Sequence, residues 1–508
     1  MSYLETRVNI ASKVDEVKEL IKKTPNNPNL HNSLGILFER ANRFDLAIES
    51  YKNAIRCNEK FVKAYNNIGV ILYKQKQYNK AVEIFKLSLK EDPLFVSTYV
   101  NLGAACNKVE DYDEGIKALL KAIDLDPTNS GAYGNLGNIY NKTKEHLLAL
   151  KAHESALELD DSSSSNHANI GITYKNLTRY TDAKKSLLKA IKIDPSFTNA
   201  HFDLATTHLI LEDYKQGFYE YEWRFKKEEM RSLLSGMSEI FQKPKFTLKS
   251  KKKNKTLLLF SEQGYGDMLQ FARFAKVLKK KYPTLKLKMV VREELKSLFK
   301  QQDYFDEVIS RDESLGEFDY QLALMSLPNL LKTTTKNLPK ESSYIKVSGK
   351  SKIDLDSNKL NIGVVWSASV TSESYEGRVF SLDMYEPLMR ETDIQLYSLQ
   401  VGDSKDIKNY TDSEIIDLED SLKSFKDSAL AIKELDLVIT SDTSVAHLAG
   451  SLGKECWVML QKDAEWRWGL DRSKTIWYPT IKMIRQEKQG EWDSAFSKLY
   501  KDIKKRVR

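Results

Sequence analysis

The chain has 508 residues, enough for two to four domains, and its 41% hydrophobic and 30% charged residues are those of a soluble globular protein. The net charge of +8 is spread over many lysines, with no arginine-rich arm and no aromatic RNA-binding signature, so no nucleic-acid partner is expected. The start of the chain lacks an apolar signal core, no run approaches a membrane span, and Cys57, Cys106 and Cys456 are too scattered for a disulfide framework or a zinc site. A cytoplasmic location is expected, with peripheral contact at the inner face of a membrane left open.

Residues 2–24 read as an amphipathic helix through Val8, Val14, Val17, Leu20 and Ile21, a cap on the helices after it, so that 1–27 form a first segment. Gly35, Gly69, Gly103, Gly137 and Gly171 then recur every 34 residues, and Ala205 continues the series. Small residues stand twelve positions later (Ala47, Ala81, Gly115, Ala149, Ala183, Gly217) and again after seven more (Ala54, Ser88, Ala122, Ala156, Ala190), until Arg224 breaks the pattern. His31, Tyr65, Tyr99, Tyr133, His167 and His201 precede the series by four, and Pro93, Pro127 and Pro195 end repeats. Small residues at these offsets let paired antiparallel helices approach closely. The spacing resembles the tetratricopeptide family across 28–231, in six repeats stacked into an α-solenoid with a concave groove.

Asn67, Asn101, Asn135 and Asn169 each stand two residues before a glycine and form an amide ladder. That ladder resembles the one with which tetratricopeptide-bearing protein glycosyltransferases grip an extended peptide; the competing reading is hydrogen bonding within each repeat. The histidines alternate with tyrosines and read as packing residues. Tyr219–Phe225 forms an aromatic stripe that reads as core joining the array to the rest, and 232–254 as a linker ending in the lysine run 249–255.

From Thr256 strands alternate with helices. Strands are expected at 256–261, 285–291, 307–310 and 320–324, with helices at 267–281 and 293–300. A second set has strands at 361–366, 394–399, 435–440 and 456–460, helices at 382–390 and 422–435, and a last helix near Glu491. Two such sets predict two parallel, doubly wound sheets, at 255–350 and 351–508, with ligands beyond the carboxyl ends of their strands.

Two turns carry the chemistry. Ser261-Glu262-Gln263-Gly264-Tyr265-Gly266-Asp267 comes after a strand and opens a helix, but Leu269 breaks the dinucleotide fingerprint, so no nicotinamide cofactor is expected. There Asp267 reads as an N-cap or a working carboxylate. Ser441-Asp442-Thr443-Ser444 leads from a strand into the helix carrying His447, a terminus whose free N–H groups attract an anion.

The segments SEQGYGDMLQFARF, FDYQLALMSLPNLL, IGVVWSAS, GRVFSL, LYSLQVGD, LDLVITSDTSVAHLAGSLGK and EWRWGLDRSKTIWYP occur in this order. Together they resemble the family-9-type, heptosyltransferase-like glycosyltransferases in the form fused to tetratricopeptide repeats, over about 255–500. The resemblance implies a GT-B fold, a nucleotide-sugar donor held mostly by the second sheet, and an acceptor approached from the first. It implies Asp267 as general base, with Glu262 and His447 as rivals. Gly264, Gly266, Arg378, Gln400, Asp442, Thr443, Ser444 and His447 are then expected at the donor, Arg378 from the loop Glu376-Gly377-Arg378. Inverting transfer without a metal or resident cofactor is expected, with an ADP-linked heptose as the default donor. The acceptor is a protein, a peptide or a lipid-linked saccharide recruited by the repeats. Asp354-Leu355-Asp356 and Asp124-Leu125-Asp126 fit a metal-binding pattern but read as structural. Trp466, Trp468, Trp477 and Tyr478 read as core, with Arg467 the exception among them. The alternative function is a non-catalytic interaction scaffold with a degenerate transferase half.

Overall fold

The computed structural model describes residues 3–367, 377–402, 405–411, 413–470 and 472–507, and the chain divides into two compact units, Met1–Ala200 and His201–Arg508. The first unit is a helical solenoid. Helix α1 (Tyr3–Lys23) precedes five antiparallel pairs: α2 (Pro28–Arg40) with α3 (Phe44–Cys57), α4 (Val62–Lys74) with α5 (Tyr78–Glu91), α6 (Val96–Val109) with α7 (Tyr112–Leu125), α8 (Ser130–Lys142) with α9 (His146–Leu159), and α10 (Ser164–Asn176) with α11 (Tyr180–Ile193).

Each repeat glycine is explained by one contact. The residue sixteen positions later, Tyr51, Phe85, Leu119, His153 or Leu187, lies across it, and a Cβ on the glycine would come within 2.4–2.8 Å of that side chain. The small residues of the second helices, Ala47, Ala54, Ala81, Ser88, Ala122, Ala149, Ala156, Ala183 and Ala190, are fully buried. The turn between the paired helices always places one residue at positive φ: Asn42, Lys76, Glu110, Lys144 and Thr178. His31 and His167 reach local carbonyls, Nε2 lying 2.7 Å from Pro25 O and 3.0 Å from Asp161 O respectively.

The sixth pair, α12 (Thr198–Ile210) and α13 (Tyr214–Glu220), falls with the second unit apart from its first residues. Helix α13 is half as long as its counterparts because the chain tightens into a 3₁₀ turn at Tyr221–Lys226. Its Tyr214 and Phe218 pack on Trp466, Trp477 and Phe271. The aromatic stripe is only partly core, since Tyr219 is exposed while Tyr221 is buried and Trp223 stacks on His201 at 3.6 Å. Helix α14 (Glu228–Ser235) crosses the expected start of the linker, and a bridge joins Lys245 in that linker to Gln321.

Two wholly parallel sheets make up the rest of this unit. The first contains β1 (Thr256–Phe260), β2 (Lys286–Val291), β3 (Glu307–Ser310) and β4 (Tyr320–Ala323), in the order β3-β2-β1-β4, with α15 (Tyr265–Lys281), α16 (Glu293–Phe299) and α17 (Leu327–Leu330). The second contains β5 (Leu360–Val365), the short α18 (Glu386–Met389), β6 (Ile394–Ser398), β7 (Ile415–Asp417), α19 (Phe425–Glu434), β8 (Leu437–Ser441), α20 (Ser444–Leu452), β9 (Cys456–Leu460), β10 (Ile481–Arg485) and α21 (Asp493–Val507). Its order, β10-β9-β8-β5-β6-β7, is that of a doubly wound parallel sheet. Strands β7 and β10 lie outside the expected set; both are edge strands, and β7 has three residues, too few to show a period. One aspartate of each Asp-Leu-Asp segment serves a turn, Asp126 accepting from Thr128 and Asp356 from Asn358, while Asp124 pairs with Lys121. No helix among the described residues is long and apolar enough to cross a membrane.

His153 gives the first unit a pH dependence. It occupies a core position, neither ring nitrogen has a hydrogen-bond partner among the described residues, and burial pushes its imidazole down from 6.5 to about 4. The unfolded chain binds the proton first, so stability is full above about pH 6.5, falls as pH drops through that value, and levels off below about 4. The loss reaches about 3 kcal/mol at most. His153→Leu, the residue used at 119 and 187, should flatten urea-unfolding stability of the array between these pH values; an unchanged slope would exclude His153 as its source.

Candidate active site

In the second sheet the winding reverses between β5 and β8, which opens a crevice at the carboxyl edge. Ser441 and Asp442 leave β8 at that point. The cap of α20 is Thr443, whose Oγ1 accepts from Val445 N at 3.3 Å and lies 2.9 Å from Thr440 Oγ1. Asp442 is not the cap and turns to Arg378, with 3.3 Å between Oδ2 and Nη1. Burial pushes the Asp442 carboxyl up, against the pull of Arg378. Ser444 is half-buried as the first helical residue, and the Ser441 hydroxyl is buried with no hydrogen-bond partner among the described residues. Gln400 lies just beyond β6, and its Oε1 accepts from Ser367 N beyond β5 at 3.2 Å, bridging two strand ends.

Asp267 belongs to the first sheet, in the first turn of α15. The cap there is Gly264, and Asp267 instead pairs with Arg467. Arg467 holds Glu465 at 2.5 Å, Glu465 pairs with Arg378, and Arg378 reaches Asp442. Five side chains of alternating sign thus run unbroken from Asp267 to Asp442. Burial raises Glu465, but the two arginines outweigh it and hold its carboxyl below the usual range. Arg467 also donates through Nε to Gln270 Oε1 at 3.0 Å and lies 4.5 Å over the Trp466 ring. Arg378 belongs to the loop read from the sequence. The structure buries it, because two carboxylates and the positive φ of Gly377 turn it inward; Glu376 lies outside the described residues.

His447 is buried on α20, its Nδ1 2.9 Å from Tyr478 Oη and its ring stacked on Trp468 at 5.3 Å. Burial, reinforced by Arg467, pushes its imidazole down to about 3, so it is uncharged at neutral pH. A Cβ on Gly266 would sit 2.6 Å from His447 Cδ2, so this glycine lets α15 approach α20. Nothing comparable crowds Gly264. Trp466, Trp468, Trp477 and Tyr478 are all buried core, as expected.

Three features escaped sequence reasoning. Glu465 passed as one residue of an aromatic motif. Arg224, which breaks the small-residue rule, is 1% exposed and donates through Nε and Nη2 to Glu262 Oε1 at 2.9 and 2.6 Å and to Ser326 Oγ at 3.0 Å. It therefore joins the sixth repeat to both sides of the first sheet's own crevice, between β1 and β4. Glu262 is pushed up by burial and held by Arg224, while its Oε2 has no partner. Third, Arg292 and Arg311 stand just after β2 and β3 in register, since Val291 is opposite Ser310. Arg311 donates to Ser261 O at 2.7 Å, and Arg292 lies 4.8 Å over Tyr265. Burial and the neighbouring Arg292 lower Arg311, and neither has a carboxylate within ion-pair distance among the described residues. A cation directly after each of two adjacent strands was the available signal.

In the first unit, all four ladder asparagines are half-buried. Asn67 Nδ2 donates to Asn32 Oδ1 at 3.0 Å and Asn101 Nδ2 to Asn66 Oδ1 at 2.9 Å, so these two amides bond between repeats. Asn169 Nδ2 lies near Gly134.

Family models described as TPR or tetratricopeptide repeat match residues 40–76, 62–94, 96–129, 118–151 and 165–197. The N-terminal array is built of tetratricopeptide repeats. Among solved structures, the chain is similar to YrrB, described as a TPR protein with an unusual peptide-binding site, at 21% identity over 36% of this chain and 95% of that one, TM-score 0.30. It is also similar to MamA (24% identity, 33% and 92%, TM-score 0.29) and to TTC0263, a TPR protein of Thermus thermophilus (19%, 36% and 99%, TM-score 0.33). No curated protein matches the chain.

The close approach at Gly266 is directly testable. Gly266→Ala should cost about 1–3 kcal/mol through overpacking, read as a lowered unfolding midpoint. Combining it with His447→Ser should recover part of the loss. If Gly266→Ala is neutral, the α15–α20 approach is looser than the structure has it.

Proposed function

We propose that the second unit is a metal-independent, inverting glycosyltransferase of GT-B type, moving a sugar from a nucleotide-diphosphate donor to an acceptor that the tetratricopeptide repeats help to recruit. One observation supports this reading: the charged chain that links Asp267, at the carboxyl edge of one parallel sheet, through Arg467, Glu465 and Arg378 to Asp442 at the switch point of the other. Glycosyl transfer needs a base for the acceptor hydroxyl and a positive environment for the departing diphosphate. Asp267 is the base in this reading, freed when Arg467 swings toward phosphate. Thr443, Ser444 and the free N–H groups of α20 face the diphosphate, Arg378 adds its charge, and Gln400 meets the nucleoside.

Burial raises the Asp442 carboxyl and Arg378 opposes it, so in this reading Asp442 positions Arg378 for the diphosphate. His447, neutral and packed on Gly266, shapes the contact between α15 and α20 and contributes no charge. Arg292 and Arg311 stand at the carboxyl edge of the first sheet, where they suit an anionic group on the acceptor. The second reading, an interaction scaffold with an inactive transferase half, is favoured by the engagement of Asp267 and Arg378 in internal ion pairs.

A panel of nucleotide-diphosphate sugars, assayed for release of the nucleotide diphosphate, separates the two. At least one donor should be turned over, and Asp267→Asn should slow that turnover roughly 100- to 10,000-fold while donor affinity is retained. Absence of turnover with every donor, or an Asp267→Asn protein as fast as the parent, rejects the enzyme reading.

A further inference from the structure

We propose that Arg224, supplied by the last repeat, is a positioning residue for the proposed transfer: through Glu262 it fixes the turn that presents Asp267 to the acceptor. The inference rests on the reading of Asp267 as the base, and adds to it a residue from outside both parallel sheets.

Arg224 is unlike its equivalents in the other repeats. Ala54, Ser88, Ala122, Ala156 and Ala190 are small and fully buried, and let paired helices close on one another. Helix α13 stops before Arg224, and the 3₁₀ turn Tyr221–Lys226 carries the guanidinium to the first sheet instead. A terminal repeat needs only a polar, solvated outer face to end a solenoid. A buried guanidinium does nothing for that, and taking its charge out of water is costly unless a carboxylate meets it.

Two carboxylates do. Nε and Nη2 both donate to Glu262 Oε1, at 2.9 and 2.6 Å, while Nη1 donates to Glu222 Oε1 and to Tyr221 O, each at 3.0 Å. Glu222 is held in turn by Lys245 at 2.5 Å and by Ser326 Oγ at 2.7 Å. Glu262 follows β1 and Ser326 follows β4, the neighbouring strands between which the winding of the first sheet reverses. The guanidinium therefore spans the crevice in which a sheet of this kind takes its ligand.

Glu262 and Asp267 belong to one turn, from Ser261 to the first turn of α15, and each has its own arginine. Arg311 holds the start of the turn through Ser261 O at 2.7 Å, Arg224 holds its next residue, and Arg467 holds its end. In the proposed function Arg467 leaves for the diphosphate. Asp267 then keeps its place only through the ties that remain, and Arg224 is the charged one.

Electrostatics joins the two ion pairs. Burial pushes the Tyr221 phenol up to about 12; Arg224 and Arg467 oppose the rise, and Asp267 and Glu262 add to it, so one ring of the repeat senses both pairs. Glu262 is faced by Arg224, Tyr221 and Glu222 from the repeat, by Asp267 from α15 and by Arg311 from beyond β3. Its Oε2 has no hydrogen-bond partner among the described residues. Burial drives this carboxyl toward its protonated form and Arg224 opposes that. Without Arg224, Glu262 is neutral at low pH, and rising pH charges it alone beside Asp267, where like charge pushes the turn apart.

The test follows transfer by the whole protein, from a nucleotide-sugar donor, between about pH 6 and 9. Arg224→Met should lower kcat about 10- to 100-fold at neutral pH, with the donor KM unchanged because the second sheet holds the donor. Its activity should fall further as pH rises, a limb absent from the parent. Arg224→Met with Glu262→Gln leaves no charge alone: the alkaline limb should vanish, and kcat should settle about tenfold below the parent and well above Asp267→Asn. A merely structural ion pair changes the amount of folded protein and leaves the pH profile of the remaining activity as it was. Arg224→Met with the parent's kcat and profile overturns the inference. So does a double variant as slow as Asp267→Asn, which makes Glu262 the base, or one as fast as the parent, which makes the clamp dispensable; the double variant decides even if Arg224→Met folds poorly. A parent that turns over no donor rejects the enzyme reading and this role together, whereas an active parent indifferent to Arg224 rejects this role alone.

Discussion

The second unit depends on the buried alternation of charge between Asp267 and Asp442. Removing one member of such a chain leaves a neighbouring charge without its partner in a medium of low polarity, at a typical cost of about 3–5 kcal/mol. The side chains are therefore fixed relative to one another, and with them the two sheets they come from. Asp267 rides on α15 and Asp442 on the turn into α20, and these helices meet where Gly266 leaves room for His447. Burial that holds this imidazole neutral also keeps a further positive charge out of a network that has two arginines already. The same arrangement keeps both carboxylates engaged, so any ligand must compete with internal ion pairs for Arg378 and Arg467.

A second constraint operates through the sixth repeat. Its second helix ends early, and the residue that should be small is Arg224, fully buried and clamped to Glu262. An arginine in that place costs desolvation that only a buried carboxylate can offset, and Glu262 lies in the very turn that leads to Asp267. The last repeat is thus built into the α/β unit as a wall, with Tyr214 and Phe218 sealed against the tryptophan core.

The array of the first unit obeys a simpler rule. One side chain of each second helix is laid across one glycine of the first, and five repeats reuse that contact with a ring or a leucine. His153 shows the tolerance of the rule, since an imidazole fills the site at the expense of its own protonation.

The repeat period, the switch to alternating strands and helices, and most element positions were legible in the sequence, because a 34-residue glycine series and buried apolar runs are local signals. The motifs around Asp267 and Asp442 were legible too, as strand–helix turns bearing acids. What each acid does was not. Asp267 read as a cap or a working carboxylate, and the structure gives the cap position to Gly264; Thr443 caps α20, and arginines distant in sequence hold both carboxylates. Glu465, Arg224 and the Arg292–Arg311 pair lay outside sequence reasoning for the same reason: a charge becomes part of a site only through neighbours that the folded chain supplies. The short edge strands β7 and β10 were absent from the expected set, since pairing with a neighbour, not their own pattern, makes them strands. Sequence alone determined the kinds of element and their order; tertiary structure decided which charges meet, because that depends on helix approach and strand register rather than on spacing along the chain.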